Sequence, residues 1–97
     1  MNKQTILARL TDNFEEIRRC FSVKALSVFG SAARDEAADD SDVDVLVEFN
    51  KKAGFDTFMD LKFYLEELLQ APVDLVTDKA LRPRLRKAIE QEMINVA

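Results

Sequence analysis

The most constraining stretch of this chain is Asp42-Val43-Asp44-Val45-Leu46-Val47-Glu48-Phe49, entered from Ser41. Polar and apolar residues alternate there with a period of two, the periodicity of a strand with one face on a core. Val43, Val45, Val47 and Phe49 fall on one face, so a strand is expected over 41–49. Asp42 and Asp44 then leave together from the opposite face. Aspartate is disfavoured in strands, and two carboxylates aimed together repel by about 3 kcal/mol at ~5 Å and an effective dielectric near 20. No basic residue lies within the segment to offset that cost. A divalent cation would offset it, and hard carboxylate oxygens suit Mg²⁺. On this segment alone, two solvated acids at a strand's mouth explain the pattern equally well.

The flanking sequence alternates helical and strand patterns. Ile6, Leu7, Leu10, Phe14 and Ile17 have helical spacing, which predicts one amphipathic helix reaching about Cys20. Val23 to Phe29 reads as a short strand ending at Gly30, and 31–35 as a turn or the first turn of a short helix. After a loop over 50–54, Phe58, Leu61, Leu65 and Leu68 mark a second long helix. Thr57-Phe58-Met59-Asp60 fits a capping box at its start, and Pro72 ends it. Val73 to Thr77 is a third strand, and Pro83 suits the first turn of a last helix reaching about Met93. The order predicts an α/β (α+β) fold with helices packed on a small sheet.

At 97 residues the chain is expected to form one domain over 1–97, large enough to bury a core without covalent staples. Its one cysteine, Cys20, excludes an internal disulfide and is expected as a partly buried thiol in a reducing compartment. No stretch reads as a signal peptide or approaches the ~20 apolar residues of a membrane helix, so a cytoplasmic location without membrane contact is expected. A net charge of −4 argues against gripping a nucleic acid over a broad surface. Phosphate charge must therefore be neutralised locally or by metal.

Two further segments complete a candidate site. Asp74 is one acid amid apolar residues in Val73-Asp74-Leu75-Val76. If its strand neighbours that of Asp42, three carboxylates converge, and such a set can hold two metal ions around an in-line displacement. Taken singly, Asp74 reads equally as a surface or capping acid. Gly30-Ser31 ends a strand with a residue that lets backbone approach a ligand, followed by free N–H groups and a hydroxyl. By itself Gly-Ser is an ordinary turn. Its value lies in the ten residues separating Ser31 from Asp42.

Together these residues spell Gly-Ser-x10-Asp-x-Asp, and the chain resembles the DNA polymerase β-like nucleotidyltransferase superfamily. More narrowly, it is similar to the minimal nucleotidyltransferases of MntA type, antitoxins paired with HEPN-domain (HepT) toxins. The likeness runs end to end, through Ser-Val-Phe-Gly-Ser at 27–31, Ser-Asp-Val-Asp-Val-Leu-Val-Glu-Phe at 41–49 and Pro-Val-Asp-Leu-Val at 72–76. Asp35 departs from it, since relatives tend to have glycine there, which opens the shape of the turn after Arg34. The resemblance implies a polymerase β-like core with a small mixed sheet flanked by helices. It implies that Gly30 and Ser31 hold the triphosphate of ATP, with Arg34 as a further phosphate ligand or an ordinary surface arginine. Asp42 and Asp44 would ligate two Mg²⁺ ions, and Asp74 the one that activates the acceptor. The implied reaction is transfer of AMP from ATP to a tyrosine of a cognate HEPN-type RNase toxin, which silences it.

Arg82, Arg84, Arg86 and Lys87 crowd the start of the last helix, where the helix dipole disfavours cations. Arg86 is expected to pair with Glu90 one turn on. The others form either a solvated face or a surface for phosphates or an acidic partner. Two alternative functions remain at this stage. One is nucleotide transfer to a small-molecule hydroxyl, and the other a module that blocks a toxin by contact alone.

Overall fold

A computed structural model describes residues 2–36 and 42–96. The alternating stretch forms β2 (Val43–Phe49), joined by β1 (Val23–Phe29), β3 (Val73–Thr77) and the two-residue β4 (Ile94–Asn95) in a mixed sheet of order β3-β2-β1-β4. β1 runs antiparallel to β2 and β4, whereas β2 and β3 are parallel. The helices are α1 (Lys3–Asp12), α2 (Phe14–Phe21), the one-turn α3 (Gly30–Ala33), α4 (Phe55–Leu69) and α5 (Pro83–Glu92). The expected α/β architecture is thus present, with β1 and β3 at the expected residues.

Val43, Val45 and Val47 bury on one face of the sheet, joined by Leu26, Val28, Val73 and Leu75. Ile6, Leu10, Ile17, Leu61, Leu65 and Leu69 of α1, α2 and α4 complete that cluster. Burying a valine side chain is worth about 1.5 kcal/mol or more. Three of them on β2 therefore outweigh the carboxylate repulsion that the same alternation creates. A bulge between Val23 and Ala25 shifts the parity of β1, so Val23 still reaches the core.

Three local readings are corrected. The single helix to about Cys20 is two helices, because Asn13 interrupts it: its side-chain amide donates to the Arg9 carbonyl at 2.8 Å. Such side chain to backbone bonds compete with helix continuation. Ile6, Leu10 and Ile17 are buried on both sides of the break, so the apolar stripe survives. The capping box at Thr57 does not form. The helix starts earlier, with Gly54 as N-cap and no side-chain cap bond, and leaves Thr57 inside its first turn. Cys20 is exposed rather than partly buried. The last helix begins at Pro83 as expected, but β4, which follows it, is too short for any periodicity to reveal. β4 pairs Ile94 with Val28, and the Val96 N–H donates to the Leu26 carbonyl at 2.8 Å. No described helix is long and apolar enough to cross a membrane.

Candidate active site

The face of the sheet opposite the main core carries the polar residues of the alternating strand. Asp44 pairs in register with Asp74 across the parallel strands β2 and β3, so both side chains leave the same face about 4.8 Å apart in backbone spacing. Asp42 lies two residues earlier and shares that direction. It is exposed at the mouth of β2, where the Val43 N–H is anchored on the Pro72 carbonyl at 2.8 Å.

Asp44 is partly buried. Burial, and then the neighbouring charges of Asp74 and Asp42, hold its carboxyl above the usual carboxylate range, while Arg34 pulls it partly back. A side-chain hydrogen bond with Asp74 adds to the same rise. A perturbed acid of this kind, beside like charges in a cleft, is a mark of functional sites.

Gly30 is where the structure demands glycine. Its φ is +70°, and a Cβ there would stand 3.1 Å from Cγ of Asp44 and closer still to Oδ2. The turn after β1 thus lies directly against the acid pair. Ser31 follows, with its carbonyl accepting the Glu36 N–H at 2.9 Å. Asp35, the departure from the usual glycine, has φ +58°. Left-handed backbone is thereby kept without glycine. Its side chain compensates by accepting the Lys3 N–H at 3.0 Å, as aspartate tolerates that conformation better than most residues.

Arg34 is brought to the site but is already engaged. Its Nε donates to Glu36 at 3.1 Å and its Nη1 to Glu92 at 2.9 Å. Glu92, at the end of α5, also accepts the Gly30 N–H at 3.3 Å. Sequence reasoning missed Glu92, since 62 positions separate it from Gly30 and no motif contains it. A groove of about 390 Å³ opens beside these groups, between α5 and the sheet, with Gly30, Asp74 and Glu92 at its polar end and Phe29, Val76 and Leu85 among its apolar walls. A smaller pocket of about 150 Å³, bounded by Phe49, Phe58, Thr77, Asp78 and lysines, lies at the other end of β2 and β3 and contains none of Asp42, Asp44 and Asp74. Arg82, Arg84, Arg86 and Lys87 do not line the groove. Arg86 pairs with Glu90 at 2.9 Å as expected, and also with Asp78 at 3.8 Å.

Residues 10–96 match the profile of the nucleotidyltransferase domain family. This chain belongs to that family. The protein adenylyltransferase MntA of Thermococcus cleftensis is 41% identical over 87 residues, which cover 90% of this nucleotidyltransferase and 88% of that protein. A Methanocaldococcus jannaschii protein assigned the same activity is 40% identical over 82% of this chain and 83% of its own. Among solved structures, one described as a minimal nucleotidyltransferase superposes with a TM-score of 0.83 at 37% identity, covering 97% of this chain and 95% of that one. A toxin–antitoxin complex containing AMP-PNP shares the fold, with a TM-score of 0.71 at 21% identity over 100% of this chain and 73% of that one.

The residues of this nucleotidyltransferase fit a divalent cation in part before any nucleotide arrives. Asp44 and Asp74 form a contiguous pair of hard oxygen donors, and Asp42 adds its field from the strand's mouth. No three His, Cys, Asp or Glu side chains among the described residues form a ready-made metal set. The register sets Asp44 beside Asp74, and the charge of Asp42 bears on Asp44 from the strand's mouth. Nucleotide phosphates are the natural source of the missing ligands, since Mg²⁺ is usually held by one or two carboxylates together with substrate phosphates.

Proposed function

We propose that this nucleotidyltransferase is an antitoxin that moves AMP from ATP to a tyrosine of a cognate HEPN-type RNase toxin and so neutralises it. The observation that carries the reading is the Asp44–Asp74 pair held against the Gly30 turn, in a chain 41% identical to the protein adenylyltransferase MntA. In the reaction the tyrosine oxygen bonds to the α-phosphorus, the bond to the β-bridging oxygen breaks, and pyrophosphate leaves. Asp42, Asp44 and Asp74 would hold Mg²⁺, which supplies charge neutralisation on the phosphate oxygens and acidifies the acceptor hydroxyl.

The chain's own groups do the rest. Gly30 lets the triphosphate approach the backbone closely, Ser31 offers its hydroxyl, and Arg34 adds a guanidinium at the same end. Asp74, exposed on the β3 side, receives the phenolic proton. The apolar groove that ends at Asp74 leaves the acceptor side open, so the partner completes the site. Holding the reacting oxygen in line supplies most of what such chemistry needs.

Two other readings share the residues. Transfer to a small-molecule hydroxyl would need an acceptor pocket, whereas contact-only inhibition would make the acid pair idle. The test is to incubate purified toxin, ATP and Mg²⁺ with the wild-type chain or a D42A/D44A variant, and then remove this chain. The reading expects adenylate mass on a toxin tyrosine and lasting loss of RNase activity with the wild type alone. An unmodified toxin that regains full activity after removal would establish inhibition by contact.

A further inference from the structure

Glu92 stands in the last turn of α5 and spans the turn expected to carry the triphosphate. Its Oε1 accepts the Gly30 N–H at 3.3 Å, and its Oε2 accepts Nη1 of Arg34 at 2.9 Å. Gly30 and Arg34 are the two ends of α3, so one carboxylate braces both. The backbone around Glu92 is anchored on either side. Ile89, three residues earlier, is 5% exposed, and Ile94, two residues later, pairs with Val28 next to the strand end that leads into Gly30.

A carboxylate fixed from both sides is poorly placed to swing away when a phosphate arrives. It is well placed to keep the Arg34 guanidinium pointed in one direction. The ion pair is solvent-exposed on both partners, and such pairs contribute little to stability. Glu92 also shares the groove with Asp74, and its charge there is directed at Arg34 and the Gly30 N–H. Those features favour a role in the site over a role in holding the fold.

We propose that Glu92 is a positioning residue for nucleotide binding, acting through Arg34 and the Gly30–Ser31 turn. This rests on the reading of the chain as an ATP-dependent transferase. Its consequence is that α5 and β4, which carry none of the family's signature acids, set the affinity for the triphosphate.

The experiment compares wild type, Glu92→Ala, Glu92→Gln, Arg34→Ala and the Arg34→Ala/Glu92→Ala double variant. It measures ATP binding with Mg²⁺ by titration calorimetry, steady-state transfer to the toxin, and the thermal midpoint of the free protein. Glu92→Ala is expected to weaken ATP binding roughly tenfold, the scale of one misplaced charge-assisted hydrogen bond. KM for ATP should rise more than kcat falls, with the thermal midpoint nearly unchanged. Glu92→Gln, which keeps an acceptor oxygen, should recover part of the loss. The double variant should bind no more weakly than Arg34→Ala, because the two residues act as one unit.

A folded Glu92→Ala with wild-type affinity overturns the proposal. So does tighter binding, which would make Glu92 a competitor of phosphate, and so does full additivity with Arg34→Ala. Binding is measured without toxin, so intact ATP binding with no transfer sinks the antitoxin reading and still lets the affinities judge Glu92. Absence of ATP binding by the wild type overturns both.

Discussion

Asp44 is the residue in which fold and chemistry conflict most openly. Its strand is held by Val43, Val45 and Val47 on the other face, while its own carboxyl is raised above the ordinary value of 3.8 by burial, Asp74 and Asp42. A raised carboxyl pKa means that the folded state favours the proton. The stability tied to that proton is complete below the ordinary value and is lost as pH rises through the raised one. Ionising Asp44 in the free protein therefore costs stability. Asp44→Asn is expected to lower transfer on the order of 10²-fold or more. The melting temperature without metal should stay unchanged or rise. Near-normal transfer by this variant would remove Asp44 from the site. Calorimetry of the free protein at pH 7 checks the stability half.

At the scale of elements, the parallel β2–β3 pair has to bring Asp74 level with Asp44, and Glu66 fixes where β3 starts. Its Oε2 accepts the Val73 N–H at 3.0 Å and pairs with Lys62 at 3.1 Å, joining α4 to the strand that carries Asp74. The Val73 hydrogen bond, and then Lys62, hold the Glu66 carboxyl below its ordinary value of 4.5. A depressed carboxylate contributes stability above its unfolded pKa and loses it as pH falls through the folded one. Glu66→Gln should cost about 1 kcal/mol at neutral pH, roughly 4–8 °C in Tm for a domain of this size. The difference from wild type should close as pH drops below the ordinary value. A gap that stayed constant through acid titration would assign the loss to packing. Arg9 plays a similar connecting part, donating to the last-turn carbonyls of Leu68 and Leu69 at 3.4 Å each, where a cation also suits the helix dipole.

For the whole molecule, the acid cluster couples ligand binding to folding. The free protein brings like charges together with Arg34 offsetting them only in part, so filling the site stabilises the folded state by mass action. ATP with Mg²⁺ at about a hundred times its Kd should add about 2.7 kcal/mol, and chelation of the metal should remove that gain. Asp42→Asn and Asp74→Asn should each abolish most of it. Thermal shifts equal to wild type in both variants would locate the metal elsewhere. That coupling also separates a working enzyme from a contact-only antitoxin, for which ATP and Mg²⁺ would change nothing.

The sequence alone determined whatever has a local period or a short-range signature. Alternation placed β2 and its two faces, helical spacing placed the core stripe of Ile6, Leu10 and Ile17, and Gly30-Ser31 with the two strand acids marked a candidate site. Each of these is a property of neighbours along the chain, where side-chain direction follows from backbone geometry. The tertiary structure decided what depends on residues far apart meeting. The parallel register puts Asp74 against Asp44. Gly30 is obligatory because Asp44 occupies the space of its Cβ. Glu92, the end of a helix 58 residues beyond Arg34, reaches it because a two-residue strand docks on β1. No local pattern encodes that contact. It arises from where burial of Ile89 and the pairing of Ile94 bring the chain's end to rest.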